Sequence, residues 1–368
     1  MDENTPERDT LKAPCSESWQ TKPSHAITLR DIAEALGLDV STVSRGMRND
    51  PRITPVTRNR IQGMAATLGY RQNPFVNAFA AQLRTRRLGL ASARIAVVYA
   101  QNGSERKEWF SRYLNGIRAG AESQGFGIDV LGFSIPELDS GAFLKVLRAR
   151  GIRGVILMPV PVEAVRLHFS VDGFAAATID QSLVAPALHR ASPDYFRGMR
   201  LALNVLRDSG FRRIGFYTTP QELARIGRRW EGAYLQWQTT ISPEERLPIH
   251  MDPDTRTRAS ELLPDPVWKT FRDAFFDWFD RNRPDAIVSN QHHFVRWLKA
   301  HGVNIPGDVT PIALDIPVSD FNLPGIDQQP ERIGREAVNL VTSQIFRNEY
   351  GPPSCPVSVL VPPVWRAV

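Results

Sequence analysis

Two hydrophobic rhythms divide the chain. From residue 27 apolar positions recur every three or four residues, and from residue 93 short apolar runs alternate with such periodic stretches. In the first region Leu29, Ile32, Ala33 and Leu36 share one helical face. Thr28 precedes that face as an N-cap, Asp31 stands in the first turn, and Gly37 ends it. A second helix is predicted in "LDVSTVSRGM" (38–47), with Asp39 as its cap and Val43 and Met47 as a narrow inner side. Val, Ser, Thr and Gly are weak helix formers, so neighbours must hold this stretch in place. A third helix follows, capped by Thr54, opened by Pro55 and closed by Gly69. Val56, Met64, Ala65 and Leu68 are expected to form its inner side.

Three short helices, the first two joined by a Gly-containing turn, predict a helix-turn-helix. In that motif the second helix enters the DNA major groove. A slim helix of small polar residues suits this, because its backbone must come close to base edges. Charge points the same way. Residues 26–90 hold ten Arg, no Lys and four acids, an excess of six, which equals the net charge of the whole chain. A basic segment on a neutral body is the footprint of a nucleic-acid module, although a solvated basic face gives the same count.

From residue 93 strands and helices alternate. "ARIAVVYA", "IDVLGFS", "GVILMPV", "AAATID", "RRIGFYTT", "DAIVSN" and "TPIALD" read as strands. "FSRYLNGIRAGAESQG", "FLKVLRARG", "YFRGMRLALNVLRDSG", "RRWEGAYLQWQ", "FRDAFFDWFDRN" and "FVRWLKAHG" read as amphipathic helices. Such alternation predicts parallel α/β architecture in two runs. The polar, Pro-containing residues 1–25 read as a disordered tail without signal-peptide character. No apolar run is long enough to span a membrane. Cys15 and Cys355 fit neither a disulfide framework nor a metal motif, which suggests a reducing cytoplasm.

The segment "TLRDIAEALGLDVSTVSRGMRND…TRNRIQGMAATLGYRQNP" resembles the DNA-binding headpiece of the lactose-repressor (LacI/GalR) family of bacterial transcriptional regulators. The resemblance is carried by Thr28, Asp31, Ile32, Ala33, Gly37, Thr42, Val43, Ser44, Arg45, Thr57, Arg58, Gly69, Tyr70 and Asn73 at fixed spacing. It implies an all-α helix-turn-helix headpiece followed by a two-lobed, periplasmic-binding-protein-like α/β core of two parallel-sheet subdomains. The implied domains are a headpiece at 26–72, a hinge helix and linker at 73–92, and a core at 93–368. Within the core, one lobe is expected at about 93–190 and 319–350, the other at about 191–318 and 351–368.

By position the resemblance places Val40, Ser41 and Arg45 at base edges. Thr28, Thr42, Ser44 and Asn73 fall at phosphates or in support of such contacts, and Arg48, Arg58 and Tyr70 are counted with the DNA surface. In "NPFVNAFAAQLRTRR", Phe79 stands where the family wedges a Leu into a minor-groove step; packing of hinge against hinge is the alternative. Asp39 departs from the family's Ser and brings negative charge toward phosphates. Val40 and Ser41 are too short for bidentate base contacts, which leaves Arg45 as the main reader.

In the core, the resemblance marks Trp109 and Phe110, in the first strand–helix loop region, as aromatic partners of a small ligand. Arg229, in "RWEG", falls where the family places an effector-binding Arg, and Asp180 falls on a strand-end Asp that borders the cleft between the lobes; both are counted as effector-binding. On the far lobe "NQHHFVRW" replaces the family's Asn-Asp, so Gln291 or His292 is expected in place of the usual sugar-binding Asp. Partners implied are a double-stranded DNA operator, a carbohydrate-like effector and a second copy of the chain, in the bacterial cytoplasm on the nucleoid. No cofactor and no metal are expected. No nucleophile–base motif, P-loop, dinucleotide fingerprint or metal cluster suggests an enzyme. The alternative is a DNA-binding regulator whose core binds no ligand and answers to a protein partner.

Overall fold

The fold was obtained as a computed structural model, which describes residues 27–70, 94–101, 108–160, 165–252, 265–316 and 322–367. These fall into two compact units, one within residues 1–73 and one within 74–368.

The first unit contains three helices, α1 (Leu29–Leu36), α2 (Val40–Met47) and α3 (Pro55–Thr67). Each begins at a capping side chain. Thr28 and Asp31 form a reciprocal capping box, with the Thr28 amide donating to Asp31 Oδ2 at 2.6 Å. Asp39 Oδ1 accepts the Ser41 amide at 2.7 Å. Thr54 caps α3, and Pro55 occupies its first turn. Gly37 adopts φ 63°, which lets its N–H reach the Ala33 and Glu34 carbonyls and turns the chain toward α2.

The core of this unit is Ile32, Ala33, Val43, Ile61 and Ala65. Val56 does not join it and is 73% exposed. Five residues separate Val56 from Ile61, which places it about 140° around a helix of 3.6 residues per turn, on the outer side. Gly46 explains the glycine in an otherwise helical stretch. A Cβ there would lie 2.5 Å from Ile61 Cδ1, so the bare backbone lets α3 pack tightly on α2. Gln62 adds a bond from its Nε2 to Asn49 Oδ1 at 3.0 Å.

The second unit contains two six-stranded sheets. The first has the order β13-β7-β5-β3-β1-β2, from Ser358–Val361, His189–Pro193, Ala175–Ile179, Gly154–Leu157, Arg94–Ala100 and Gly127–Phe133. All its pairings are parallel. The second has the order β14-β12-β11-β10-β8-β9, from Val364–Arg366, Gly325–Asp327, Thr310–Ala313, Ala286–Ser289, Ile214–Thr218 and His250–Met251. Only β14 runs antiparallel in it. A two-stranded piece joins β4 (Val165–Arg166) to β6 (Leu183–Ala185). Buried apolar clusters lie on both faces of each sheet, as helix-covered parallel sheets require.

Nine helices of this unit are used below by number in chain order: α4 (Glu108–Ser123), α5 (Ile135–Asp139), α6 (Ala142–Ala149), α7 (Tyr195–Asp208), α8 (Pro220–Arg225), α9 (Arg229–Gln238), α10 (Asp265–Asn282), α11 (Phe294–Ala300) and α12 (Pro330–Arg347). Helices α4 and α12 cross in close contact. A Cβ on Gly116 would sit 1.9 Å from the Glu331 carbonyl, and one on Gly334 would sit 2.4 Å from that of Tyr113. Among the described residues no helix is long and apolar enough to cross a membrane.

Strand pairing corrects the expected lobe boundaries. Residues 325–327 are expected in the first lobe but form β12 of the second sheet, where Gly325 pairs with Ala313 of β11 and all three pair with β14. Residues 358–361 were expected in the second lobe but pair with β7 in the first. The chain therefore passes between sheets three times, at 193–195, 327–330 and 361–364. Pro362 and Pro363 make the last passage. Without N–H groups they cannot continue a ladder, so one extended segment is divided between two sheets.

Candidate nucleic-acid interface and interlobe cleft

Helix α2 has two sides. Val43 is fully buried and Met47 packs against the same core, while Val40 and Ser41 are exposed and Thr42, Ser44, Arg45 and Arg48 are half-buried. Ser41, Arg45 and Arg48 follow helical spacing on the open side, with Val40 and Ser44 beside them. The Arg45 side chain makes no hydrogen bond among the described residues, which leaves its fork of donors available. Asp39 stands at the start of this helix. Hydrogen bonds from Ser41, with a contribution from Arg45, hold its carboxyl below the usual carboxylate range. The start of α2 therefore carries a fixed negative charge.

Other predicted contacts have a structural task. Thr28 Oγ1 is engaged with Asp31 in the capping box at 2.8 Å. Arg58 Nη2 donates to the Asp50 and Ile53 carbonyls at 3.2 and 3.1 Å, which pins the α2–α3 loop. Tyr70 is half-buried and packs against the three-helix core. Asn73 and Phe79, with the hinge helix expected at 73–92, lie outside the described residues. Gln62 was not singled out from sequence, because its partners, Asn49 and Gly46, are 13 and 16 residues away.

Between the two lobes the side chains form charge networks. Asp180 ends β5 of the first sheet with φ 70° and is buried. Its Oδ1 accepts the Tyr195 hydroxyl and the Gln181 amide, each at 2.7 Å. Its Oδ2 pairs with Nη1 of Arg225, at the end of α8 on the second lobe. Arg225 also meets Glu222 Oε2 at 3.0 Å. Burial opposes the charge on Arg225, but Asp180 and Glu222 outweigh it and raise its pKa well above the ordinary value. This ion pair joins one lobe directly to the other.

A second bridge lies at the α4–α12 crossing. Arg112 on α4 grips Glu331 with two bonds of 2.6 and 2.7 Å and reaches Asp327 of the second sheet at 3.3 Å. Arg366 contacts Oδ2 of Asp327 at 2.7 Å, an oxygen that Arg112 also reaches at 3.3 Å. Burial raises the hydroxyl pKa of Tyr113, Asp180 and Asp315 raise it further, and Arg225 and Arg112 oppose them, which places Tyr113 in the field of both bridges.

The predicted effector residues separate. Arg229 opens α9 and folds back, with Nη1 donating to the Ile226 carbonyl at 2.8 Å. Trp109 and Phe110 are not in a loop but in the first turn of α4. Phe110 is buried in the first lobe's core, edge-on to Tyr99 at 5.1 Å, because an aromatic at that position falls on the helix's inner stripe. Trp109 is half-buried against Tyr113. Gln291 donates its amide to Ser289 Oγ at 2.8 Å, and His292 is buried.

The neighbouring His293 enters a network that sequence reading missed. Its Nε2 lies 2.6 Å from the Tyr217 hydroxyl and 3.7 Å from Asp252, while His250 approaches Asp252 at 3.5 Å. Burial opposes ionisation of Asp252, but bonds from His250, His293 and Tyr217 prevail and keep its carboxyl below the usual range. Trp268 and Trp297 flank His293 at 5.1 and 4.7 Å. These groups stand at the carboxyl ends of β8, β9 and β10, where parallel sheets place their sites.

A small helical unit with one open polar helix face, carried with a two-lobed parallel α/β body, defines a DNA-binding transcriptional regulator. Residues 28–73 match the family described as bacterial regulatory proteins, lacI family. Residues 203–367 match the periplasmic binding protein-like domain. The chain belongs to the lacI family. It is 24% identical over 344 residues to the HTH-type transcriptional repressor CytR of Escherichia coli (strain K12), covering 90% of this chain and 93% of that one. It is also 24% identical over 318 residues to the sucrose operon repressor of Escherichia coli, covering 84% and 92%. In fold it is similar to a transcriptional regulator CelR–cellobiose complex, with a TM-score of 0.53 at 18% identity over 93% of this chain and 98% of that one. The lac repressor dimer bound to operator and the anti-inducer ONPF gives 0.53 at 17% identity, over 92% and 97%.

Proposed function

We propose that the protein is a repressor that binds a pseudo-palindromic operator as a homodimer, with α2 in the major groove. We further propose that a sugar or sugar derivative in the interlobe cleft changes its DNA affinity. The observation that carries the first part is the open face of α2. Val40 and Ser41 are exposed and Arg45 is without an internal hydrogen bond, on a helix fixed by the Asp39 cap and by Gly46 against Ile61. Val40 can pack on a thymine methyl, and only Arg45 among these has the reach to read guanine. Ligand coupling is supported by charge pairs that span the lobes, since a molecule entering between them must alter those contacts.

The test is selection of a binding site from random duplexes, followed by affinity measurement with Arg45→Ala. A loss of about 1–3 kcal/mol at one base position, with smaller loss on random DNA, is expected. Equal losses on both would remove Arg45 as reader. One observation favours a second reading, a body controlled by a protein partner and not by a ligand. Asp180, expected to meet the effector, already has Arg225, Tyr195 and Gln181 as partners. Thermal shifts with a sugar panel on the full chain separate the readings. No shift with any sugar, beside intact operator binding, supports the second.

A further inference from the structure

Away from the interlobe cleft, the first lobe carries a polar groove between the end of α4 and the outer side of α12. Its volume is about 370 Å³, and Gly120, Gln124, Arg332, Arg335, Glu336 and Asn339 line it. Gly120 has no side chain, and a Cβ there would lie 3.3 Å from Cα and Cγ of Arg335, so the wall on the α4 side stays bare. Arg332 and Arg335 are three residues apart and leave α12 on one face. Both are exposed, and neither guanidinium pairs with a carboxylate or forms a hydrogen bond among the described residues. The carboxylates beside them on α12 are engaged with other groups. Arg112 grips Glu331 at 2.6 and 2.7 Å. Asn339 Nδ2 donates to Glu336 Oε2 at 3.1 Å, and Gln124 Nε2 donates to Asn339 Oδ1 at 2.9 Å. Each of these two amide nitrogens keeps a second N–H to give.

We propose that this groove is a second ligand site, which takes a small organic phosphate with its phosphoryl group held by Arg332 and Arg335. The proposal does not depend on what enters the interlobe cleft. Charge favours a phosphate monoester, which carries about −1.5 to −2 at neutral pH and so matches two unpaired guanidinium groups. Shape favours it over a carboxylate. A phosphoryl group presents three outer oxygens, enough for donors from α12 and for the amides of Gln124 and Asn339 together. A carboxylate presents two oxygens in one plane. The groove falls in the lower part of the range for small-molecule sites, about 300–1,000 Å³, and leaves room beside the phosphoryl group for an organic part. Glu336 is the opposing charge in the same groove. Its bond to Asn339 orients it without cancelling it, so it weakens the binding of any anion there.

The experiment is calorimetric titration of the full chain, at low ionic strength, with D-glucose 6-phosphate, glycerol 3-phosphate, D-gluconate and D-glucose. At least one of the two phosphates is expected to bind about tenfold or more tightly than gluconate and glucose. Arg332→Gln and Arg335→Gln should each weaken that phosphate about tenfold. Both side chains are exposed and make no internal bond, so the thermal midpoints of these variants should match that of the parent. Glu336→Gln should act in the other direction and tighten the phosphate several-fold, because it removes the opposing charge. A phosphate whose affinity is the same in Arg332→Gln and Arg335→Gln is bound elsewhere, as in the interlobe cleft, and overturns the proposal. Failure of both phosphates to bind at about 10 mM also overturns it. Gluconate binding as tightly as either phosphate overturns the phosphate class. Weaker binding in Glu336→Gln overturns the placement of the phosphoryl group beside that carboxylate. None of these results bears on whether a sugar in the cleft controls the operator, which the sugar panel above decides.

Discussion

Helix α2 and the interlobe cleft are both rich in arginine, but they treat it in opposite ways. On α2, Arg45 is left without a hydrogen bond, and the helix is held by its own cap and by one glycine against Ile61. In the cleft, Arg225 and Arg112 are each shared between two carboxylates from different segments of the chain. On the reading proposed above, the open arginine exchanges water and ions for phosphate and base edges at small internal cost. The paired arginines fix the relation between two lobes, and they are expensive to disturb.

The largest effect should therefore come from the cleft. Arg225→Ala leaves Asp180 buried and unpaired, with side-chain exposures of 12% and 3% in the parent pair. A loss of about 3–5 kcal/mol in urea unfolding is expected, as for other broken buried pairs. The double variant Asp180→Asn with Arg225→Gln should lose clearly less than the sum of the single changes. Additive losses would mean that the two lobes are not coupled through this pair. Arg45→Ala should show the reverse profile, with the operator loss described above and almost no change in unfolding midpoint.

The Asp252 cluster offers a pH test of the same contrast. Its carboxyl pKa is depressed from 3.8 in the folded state, so its stabilising bonds are present above that value and lost as pH falls through the folded value. The stability gap between the parent and Asp252→Asn should thus be widest near neutrality and close below about pH 4. A gap that persists undiminished in acid would assign the cluster's stability to packing alone. The smallest effect expected is that of Thr54→Ala, which removes only the cap of α3 and should cost about 1 kcal/mol of headpiece stability. Its operator preference should be unchanged, as read by the same site selection.

The contrast also explains what could be read from the chain. The three headpiece helices were legible because Thr28, Asp39, Thr54 and Gly37 act within a few residues of themselves. Val56 misled because one apolar residue off the 3.6-residue phase looks like core until its neighbours are placed. Strands β1, β3, β5, β8 and β10 announced themselves as apolar runs buried on both faces. Strand β7, "HRASP", did not, since it carries His189 and Arg190 on its half-buried beginning. The cleft was hardly legible. Asp180 and Arg225 are 45 residues apart, and Arg112 and Asp327 are 215 apart. Only Glu222 and Arg225, three residues apart, gave a local sign. Phe110 was misplaced because a family position for an aromatic does not say whether the ring faces the cleft or the core. His293 was passed over for its neighbour because adjacent residues at the start of a helix point about 100° apart.

The division of residues 358–366 between the two sheets has a consequence in time. On the ribosome, strands β13 and β14 emerge after every other strand of either sheet. Until they do, β7 and β12 keep open edges that can pair with other chains. The headpiece has no such wait, since α1–α3 use only contacts within residues 27–70. A nascent chain arrested before residue 358 should therefore resist proteolysis in its first unit while both sheets remain susceptible. The order of synthesis lets the helical unit reach its final packing before either sheet is complete.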